Sequence, residues 1–194
     1  MKLVATVTAA LVLAGCVHAP APDHPVAGTG SVSTAAGNPT ALPALAPPSA
    51  VSPRSASQVI HATYGTRNVT LRTAIEIDAS RVSLVGVTAT GQRLFTASYD
   101  GQAVTADASA FVPKEISPER VLADMQLALW PLDAVRAVRH DGEVTEPWPG
   151  LRRLTRDGKL AAEVHYASAD PWGGRLWFVS FEYGYSLTID TARE

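Results

Sequence analysis

Beyond residue 57 hydrophobic and polar positions mostly alternate, and the alternation predicts β-strands. Over residues 68–78, Val69, Leu71, Thr73, Ile75 and Ile77 fall on one side. Thr70, Arg72, Ala74 and Glu76 fall on the other, the pattern of a strand with one buried and one wet face. A short strand at 59–64 precedes it, and a valine-rich one at 81–88 follows. Strands at 93–99 and 102–106 come next, parted by the hairpin signal Asp100-Gly101. Later strands are predicted at 151–155, 159–166, 175–181 and 185–190, with turns at Asp157-Gly158 and Tyr183-Gly184. The proline-rich stretch 146–150, with Asp141-Gly142 before it, reads as a turn-rich loop. Phe111-Val112-Pro113 reads as a connector.

One stretch breaks the period of two. Leu122, Met125 and Leu129 fall at i, i+3 and i+7, and Val121 and Ala128 widen the stripe. Ser117 suits the N-cap, Pro118 suits N1, and Glu119 lies against the positive end of the helix dipole. Pro131 stops the helix near Trp130 and suits N1 of a short second helix at 132–138, with Asp133 in its first turn. A lone apolar helix among antiparallel strands must lie on the concave face of the sheet. There it either completes the core or lids a cavity for an apolar ligand; Met125 and Trp130 suit both. The expected fold is mainly β (α+β): eight or nine strands in a curled, antiparallel, unclosed barrel with a helical lid or plug.

The first 56 residues have a different character. Met1-Lys2 and the apolar run 3–13 make a secretory leader too short to span a bilayer as a helix. It ends in Leu13-Ala14-Gly15-Cys16, which is similar to the bacterial lipobox. That resemblance implies cleavage after residue 15 and lipidation of Cys16, the chain's one cysteine, so an internal disulfide is excluded. Each buried CH₂ of an acyl chain contributes ~0.8 kcal/mol, so several chains together make a stable anchor. Val17 is not the aspartate that retains such proteins in the inner membrane. The implied location is therefore the outer membrane, facing the periplasm. From Cys16 to Ala56 the chain is rich in Ala, Pro and Ser, with Asp23 and Arg54 its only charges and no apolar period. It reads as a disordered tether reaching roughly 35 Å as a flexible coil. The expected organisation is a signal peptide at 1–15, lipidated Cys16 and linker at 16–56, and a β domain at 57–194.

Charge and motifs narrow the function classes. The net charge is −2, which does not suit nucleic acid. Arg152-Arg153, the sole basic doublet, reads as a solvated strand edge. His18 and His24 fall in the tether, and His61, His140 and His165 are scattered without metal-ligand spacing, so no metal is expected. There is no Gly-x-Ser-x-Gly elbow and no phosphate loop. No enzyme and no cofactor are expected. Asp124 adjoins the apolar stripe and either faces solvent or joins a buried polar pair with an arginine such as Arg93.

Leu94-Phe95, Tyr99-Asp100-Gly101 and the block from Leu122 to Pro131 resemble the DUF3261 family of bacterial lipoproteins. More distantly, the lipobox, curled sheet and central helices are similar to the outer-membrane lipoprotein receptor LolB and its periplasmic partner LolA. The segment 85–91 occupies the place of a strand-to-turn segment ending in Gly in LolB. Those proteins are unclosed barrels whose helical lid covers a cavity for acyl chains. DUF3261 proteins are often associated with aryl-polyene lipid gene clusters. The resemblance therefore implies a membrane-anchored protein that binds or transfers an acyl or polyene lipid, with a periplasmic carrier protein as partner. The ligand-binding residues expected between sheet and helix are Leu71, Ile75, Phe95, Leu122, Met125, Leu129, Trp130 and Trp177. The other reading is a tethered protein-interaction module with a solid core, in which Trp148, Trp172 and Trp177 pack or dock.

Overall fold

The computed structural model describes residues 43–110, 112 and 117–192. The leader, Cys16 and the tether as far as residue 42 lie outside them, as do Phe111 and Pro113 of the connector. Five strands come first: β1 (Arg54–Tyr64), β2 (Arg67–Ile77), β3 (Val82–Thr88), β4 (Arg93–Tyr99) and β5 (Val104–Ala108). Two helices follow, α1 (Pro118–Leu129) and α2 (Leu132–Val138). The chain then returns through β6 (Glu143–Trp148), β7 (Leu151–Arg156), β8 (Lys159–Tyr166), β9 (Gly174–Ser180) and β10 (Tyr185–Thr191).

All ten strands form one antiparallel sheet in the order β5-β4-β3-β2-β1-β10-β9-β8-β7-β6. The first five strands run outward from the centre to one edge. The last five start at the other edge and return until β10 pairs with β1. The sheet is unclosed, and the helices cross between its edges, β5 and β6. α1 packs on β4 and β5, yet Arg152 of β7, Tyr166 of β8 and Tyr185 of β10 also bond to it. A helix only about 10–12 Å wide can meet both halves because the sheet curls around it.

Alternation sets the inner face. Ala56, Gln58 and Ile60 of β1 are buried, as are Leu71, Thr73, Ile75 and Ile77 of β2. Gly86 and Phe95 are paired in register. A Cβ at Gly86 would lie 2.4 Å from the Phe95 ring, so the missing side chain is the socket that the ring fills. Asp157 and Gly158, at φ 49° and 72°, make the two-residue β7–β8 turn that needs two left-handed residues. Ser117 accepts a hydrogen bond from the Arg120 N–H and caps α1, with Pro118 next. Pro131 is the N-cap of α2, one place before the expected N1.

Three expectations are corrected. Residues 143–148 form strand β6 where a loop was expected. Pro147 is tolerated because β6 is an edge strand with a bulge between Thr145 and Trp148. The tether does not extend to Ala56: Ala46, Val51 and Ala56 are buried, and Pro48–Ala50 is a 3₁₀ turn. This strap is held through its backbone. The Gln126 side chain donates to Ala46 O (3.0 Å) and accepts from Ala46 N–H (2.8 Å), and the Tyr99 hydroxyl donates to Leu45 O (3.2 Å). Such bonds need no side-chain pattern in the strap. Finally, Arg152 is 3% exposed and not at a solvated edge.

Candidate functional site

The two ends of the curled sheet differ. At the strap end, where β1 begins and α1 finishes, α1's C-terminal carbonyls need partners, because the last four of any helix lack them. Arg152 donates to Leu127 O and Trp130 O, both at 2.7 Å, and its other nitrogens hold Glu146 at 2.7–2.9 Å. The Tyr166 hydroxyl donates to Ala128 O at 2.7 Å. Burial pushes the Tyr166 pKa up to about 12, so it stays a donor across the physiological range. Trp130 is wholly buried against Trp172 (ring centroids 6.0 Å apart), and the Arg54 guanidinium lies 4.7 Å over Trp172. The Trp130 indole N–H has no hydrogen-bond partner among the described residues.

Two open clefts lie at this end. One of about 310 Å³ is bordered by Arg54, Asp170, Trp172 and Thr191, and one of about 330 Å³ by Pro53, Arg54, Glu76 and Asp78. Neither is lined by a residue expected to bind ligand. Leu71, Ile75, Phe95, Leu122, Met125, Leu129 and Trp130 are brought together, but as one packed core between sheet and helix. Trp177 is not among them. On β9 its neighbours Leu176 and Phe178 are buried inward, and Trp177 lies half-buried on the opposite face, in register with His165 and Thr188.

At the opposite, hairpin end the inner face outruns its cover. One row across five strands runs Val69, Ala62, Leu187, Phe178 and Val164. It is buried at Val164 and Phe178, half-buried at Leu187 and Ala62, and exposed at Val69. The next row adds Tyr64, also exposed, beside Tyr185. The β2–β3 pairing ends at Leu71 with Thr88, so residues 67–70 project past β3. Alternation points Val69 and Tyr64 inward, yet they face water. An apolar strip on a concave surface, left uncovered, is the usual mark of a binding site.

Polar groups gather beside that strip. Asp124 of α1 accepts a hydrogen bond from the Tyr185 hydroxyl. Burial raises the Asp124 carboxyl to about 6, although the Tyr185 bond and the charges of Arg120, Arg139 and Arg156 act in the other direction. Burial, and then Asp124 itself, push Tyr185 up. Arg120 stacks on Tyr183, 3.6 Å from the ring centroid. Arg156 pairs with Asp141 and Glu182, and buried Arg139 approaches Asp141 at 3.9 Å. The partner of Asp124 is thus Tyr185, whereas Arg93 pairs with Asp107 on the rim of the sheet (2.6 Å). Among the described residues no three His, Cys, Asp or Glu side chains gather to hold a metal.

Part of this was visible in sequence. Arg152 shares the alternation of inward Leu154, and Gln126 interrupts the buried half of α1; both patterns place a polar group inside. The Asp124–Tyr185 contact spans 61 positions. No local signal carries it.

The model of the family described as "Protein of unknown function (DUF3261)" matches residues 55–193. No curated protein matches the chain. A solved structure of a DUF1329 family protein from Desulfovibrio piger ATCC 29098 is similar at 9% identity, over 72% of this chain and 83% of that one, with a TM-score of 0.33. The chain belongs to the DUF3261 family.

Proposed function

We propose that this member of the DUF3261 family is a non-enzymatic lipoprotein of the outer membrane, anchored through Cys16 and facing the periplasm, that binds an acyl or polyene lipid chain. One observation supports this site: the inner face at the hairpin end is exposed at Val69 and Tyr64 and half-buried at Ala62 and Leu187. Burial of such a strip against an acyl chain contributes about 25 cal/mol per Å² before binding costs. Leu71, directly below Val69 on β2, forms the floor. Ile75, Phe95, Leu122, Met125, Leu129 and Trp130 then support the site from the core and do not touch the ligand. The anchor and the lipobox set the context: a donor or acceptor membrane, or a periplasmic carrier protein, supplies or takes the chain.

The test is binding of a fluorescent polyene fatty acid to the full chain with Cys16 replaced by serine. Binding is expected, with at least tenfold weakening in Val69→Asp at unchanged melting temperature. Equal binding by Val69→Asp would remove the strip from the site. Absence of any probe binding, with a lipid-free native mass, would favour the second reading. That reading is a tethered interaction module, and the observation behind it is the packed interior itself. For the anchor, Cys16→Ser is expected to release the protein from the membrane fraction; a variant still acylated and membrane-bound would sink that claim.

A further inference from the structure

Among the described residues five large hydrophobic side chains are exposed, and four of them lie at the hairpin end: Tyr64, Val69, Leu160 and Phe181. Tyr64 and Val69 flank the β1–β2 turn, Leu160 follows the β7–β8 turn, and Phe181 opens the β9–β10 turn. These three hairpins are neighbours, since the sheet order there runs β2-β1-β10-β9-β8-β7. The Phe181 N–H donates to Ala161 O (2.9 Å), which sets the last two turns side by side. The turns stand clear of the protein: a Cβ at Gly65, Gly158 or Gly184 would meet nothing within 4 Å. Charges at these tips balance. Arg67, Arg156 and Lys159 are offset by Asp141, Asp157 and Glu182, and Arg156 pairs with both Asp141 and Glu182. The rim is thus apolar, neutral and made of projecting tips.

We propose that this rim docks on a phospholipid bilayer, with Tyr64, Leu160 and Phe181 set among the headgroups and Val69 leading from them to the concave strip. The docking names the partner of the site described above and rests on the acyl-chain reading for its purpose alone. The layout favours a bilayer over a protein. A stable protein interface needs a continuous complementary surface of about 800 Å² on each side. Here the apolar side chains stand on separate tips with polar turn residues between them, and a fluid interface accommodates each tip by itself. Tyr64 has the amphipathic ring that settles at headgroup level. The length of the chain permits the approach. The described residues start at the strap, opposite the rim, and the eleven residues of β1 cover about 36 Å. Residues 17–42 span at most about 90 Å when extended. A chain anchored at Cys16 therefore reaches around the domain and sets the rim on the membrane that holds the anchor. An acyl chain then passes between the bilayer and the strip without crossing water.

Flotation with vesicles of phosphatidylethanolamine and phosphatidylglycerol tests the docking. The protein used is the chain from residue 17 onward, which carries neither leader nor acyl groups and keeps every described residue. It is expected to float with the vesicles, and 1 M salt is expected to change the bound fraction less than twofold, because a neutral rim inserts through apolar contact. Leu160→Asp combined with Phe181→Asp is expected to weaken binding at least tenfold at unchanged melting temperature. Trp148→Asp removes the fifth exposed hydrophobic, beside the β6–β7 turn at the other end, and is expected to bind as wild type does. No flotation of the wild type, release by salt, undiminished flotation of the double variant, or an equal loss in Trp148→Asp would overturn the docking. So would a dimer in vesicle-free solution that the double variant dissolves, since the rim would then belong to a second copy. The polyene probe separates the two readings, because the double variant leaves the strip intact and is expected to bind the probe normally. Flotation without probe binding leaves the docking standing and removes the acyl ligand. Probe binding without flotation does the reverse.

Discussion

The strap end and the hairpin end are built from the same sheet and the same helix, yet they treat polar groups in opposite ways. At the strap end a set of side chains fixes the end of the helix: Arg152 on two carbonyls and Glu146, Tyr166 on a third carbonyl, Gln126 on the strap. At the hairpin end apolar side chains face water, and the half-buried Asp124 carboxyl is raised to about 6 by loss of solvation. Hydrogen bonds to backbone carbonyls hold a helix end in one place, whereas apolar side chains left in water are stabilised only when something covers them. The difference separates an end where the helix is tied down by hydrogen bonds from an end that leaves apolar surface in water.

The strongest way to break the comparison is Arg152→Ala. It strips two helix carbonyls of their donor and leaves Glu146 unpaired, and should cost about 3–5 kcal/mol in denaturant unfolding. A loss under 1 kcal/mol would mean the strap end is not the rigid one. Asp124→Asn should act oppositely. The carboxyl is raised to about 6 when folded against 3.8 in the open chain. Its ionisation therefore costs nothing below pH 3.8, grows in cost from there to 6, and is at its full cost above. The variant should gain up to about 3 kcal/mol over wild type at pH 8 and match it near pH 3.5, which paired unfolding curves would reveal. Gly86→Ala belongs to neither end. Forcing a Cβ into the Phe95 ring should cost about 1–3 kcal/mol by thermal melting, independent of pH. The smallest effect, about 1 kcal/mol, is expected for Tyr166→Phe; a pH-dependent loss there would blur the distinction between the ends.

Where pattern and period carried the information, the sequence was legible. β4, α2 and β8 have the expected limits, since alternation, a proline stop and an Asp-Gly turn are local chemistry. β6 was not legible, because Pro147 argues against a strand unless the strand is known to be an edge. Nor was the strap at 43–53: composition describes the cost of ordering a segment and is silent about the partners that offset it. The site shows the same division. Seven of the eight expected ligand residues were correctly grouped, since apolar residues on inner faces must meet. Their packing density was not readable, and neither was the face of Trp177, because the unbroken apolar run 176–179 gives no polar position to set its parity.

Sequence by itself determined most of the strand pattern, the capped helix with its proline stop and the family. Each rests on neighbours within a turn, a hairpin or a motif. Tertiary structure alone decided that Arg152 meets the last carbonyls of α1, that Asp124 meets Tyr185, and that Val69 and Tyr64 outrun the helix. Those facts depend on how far the sheet curls and how α1 lies within it, and curl is a sum over ten strands that no local window contains.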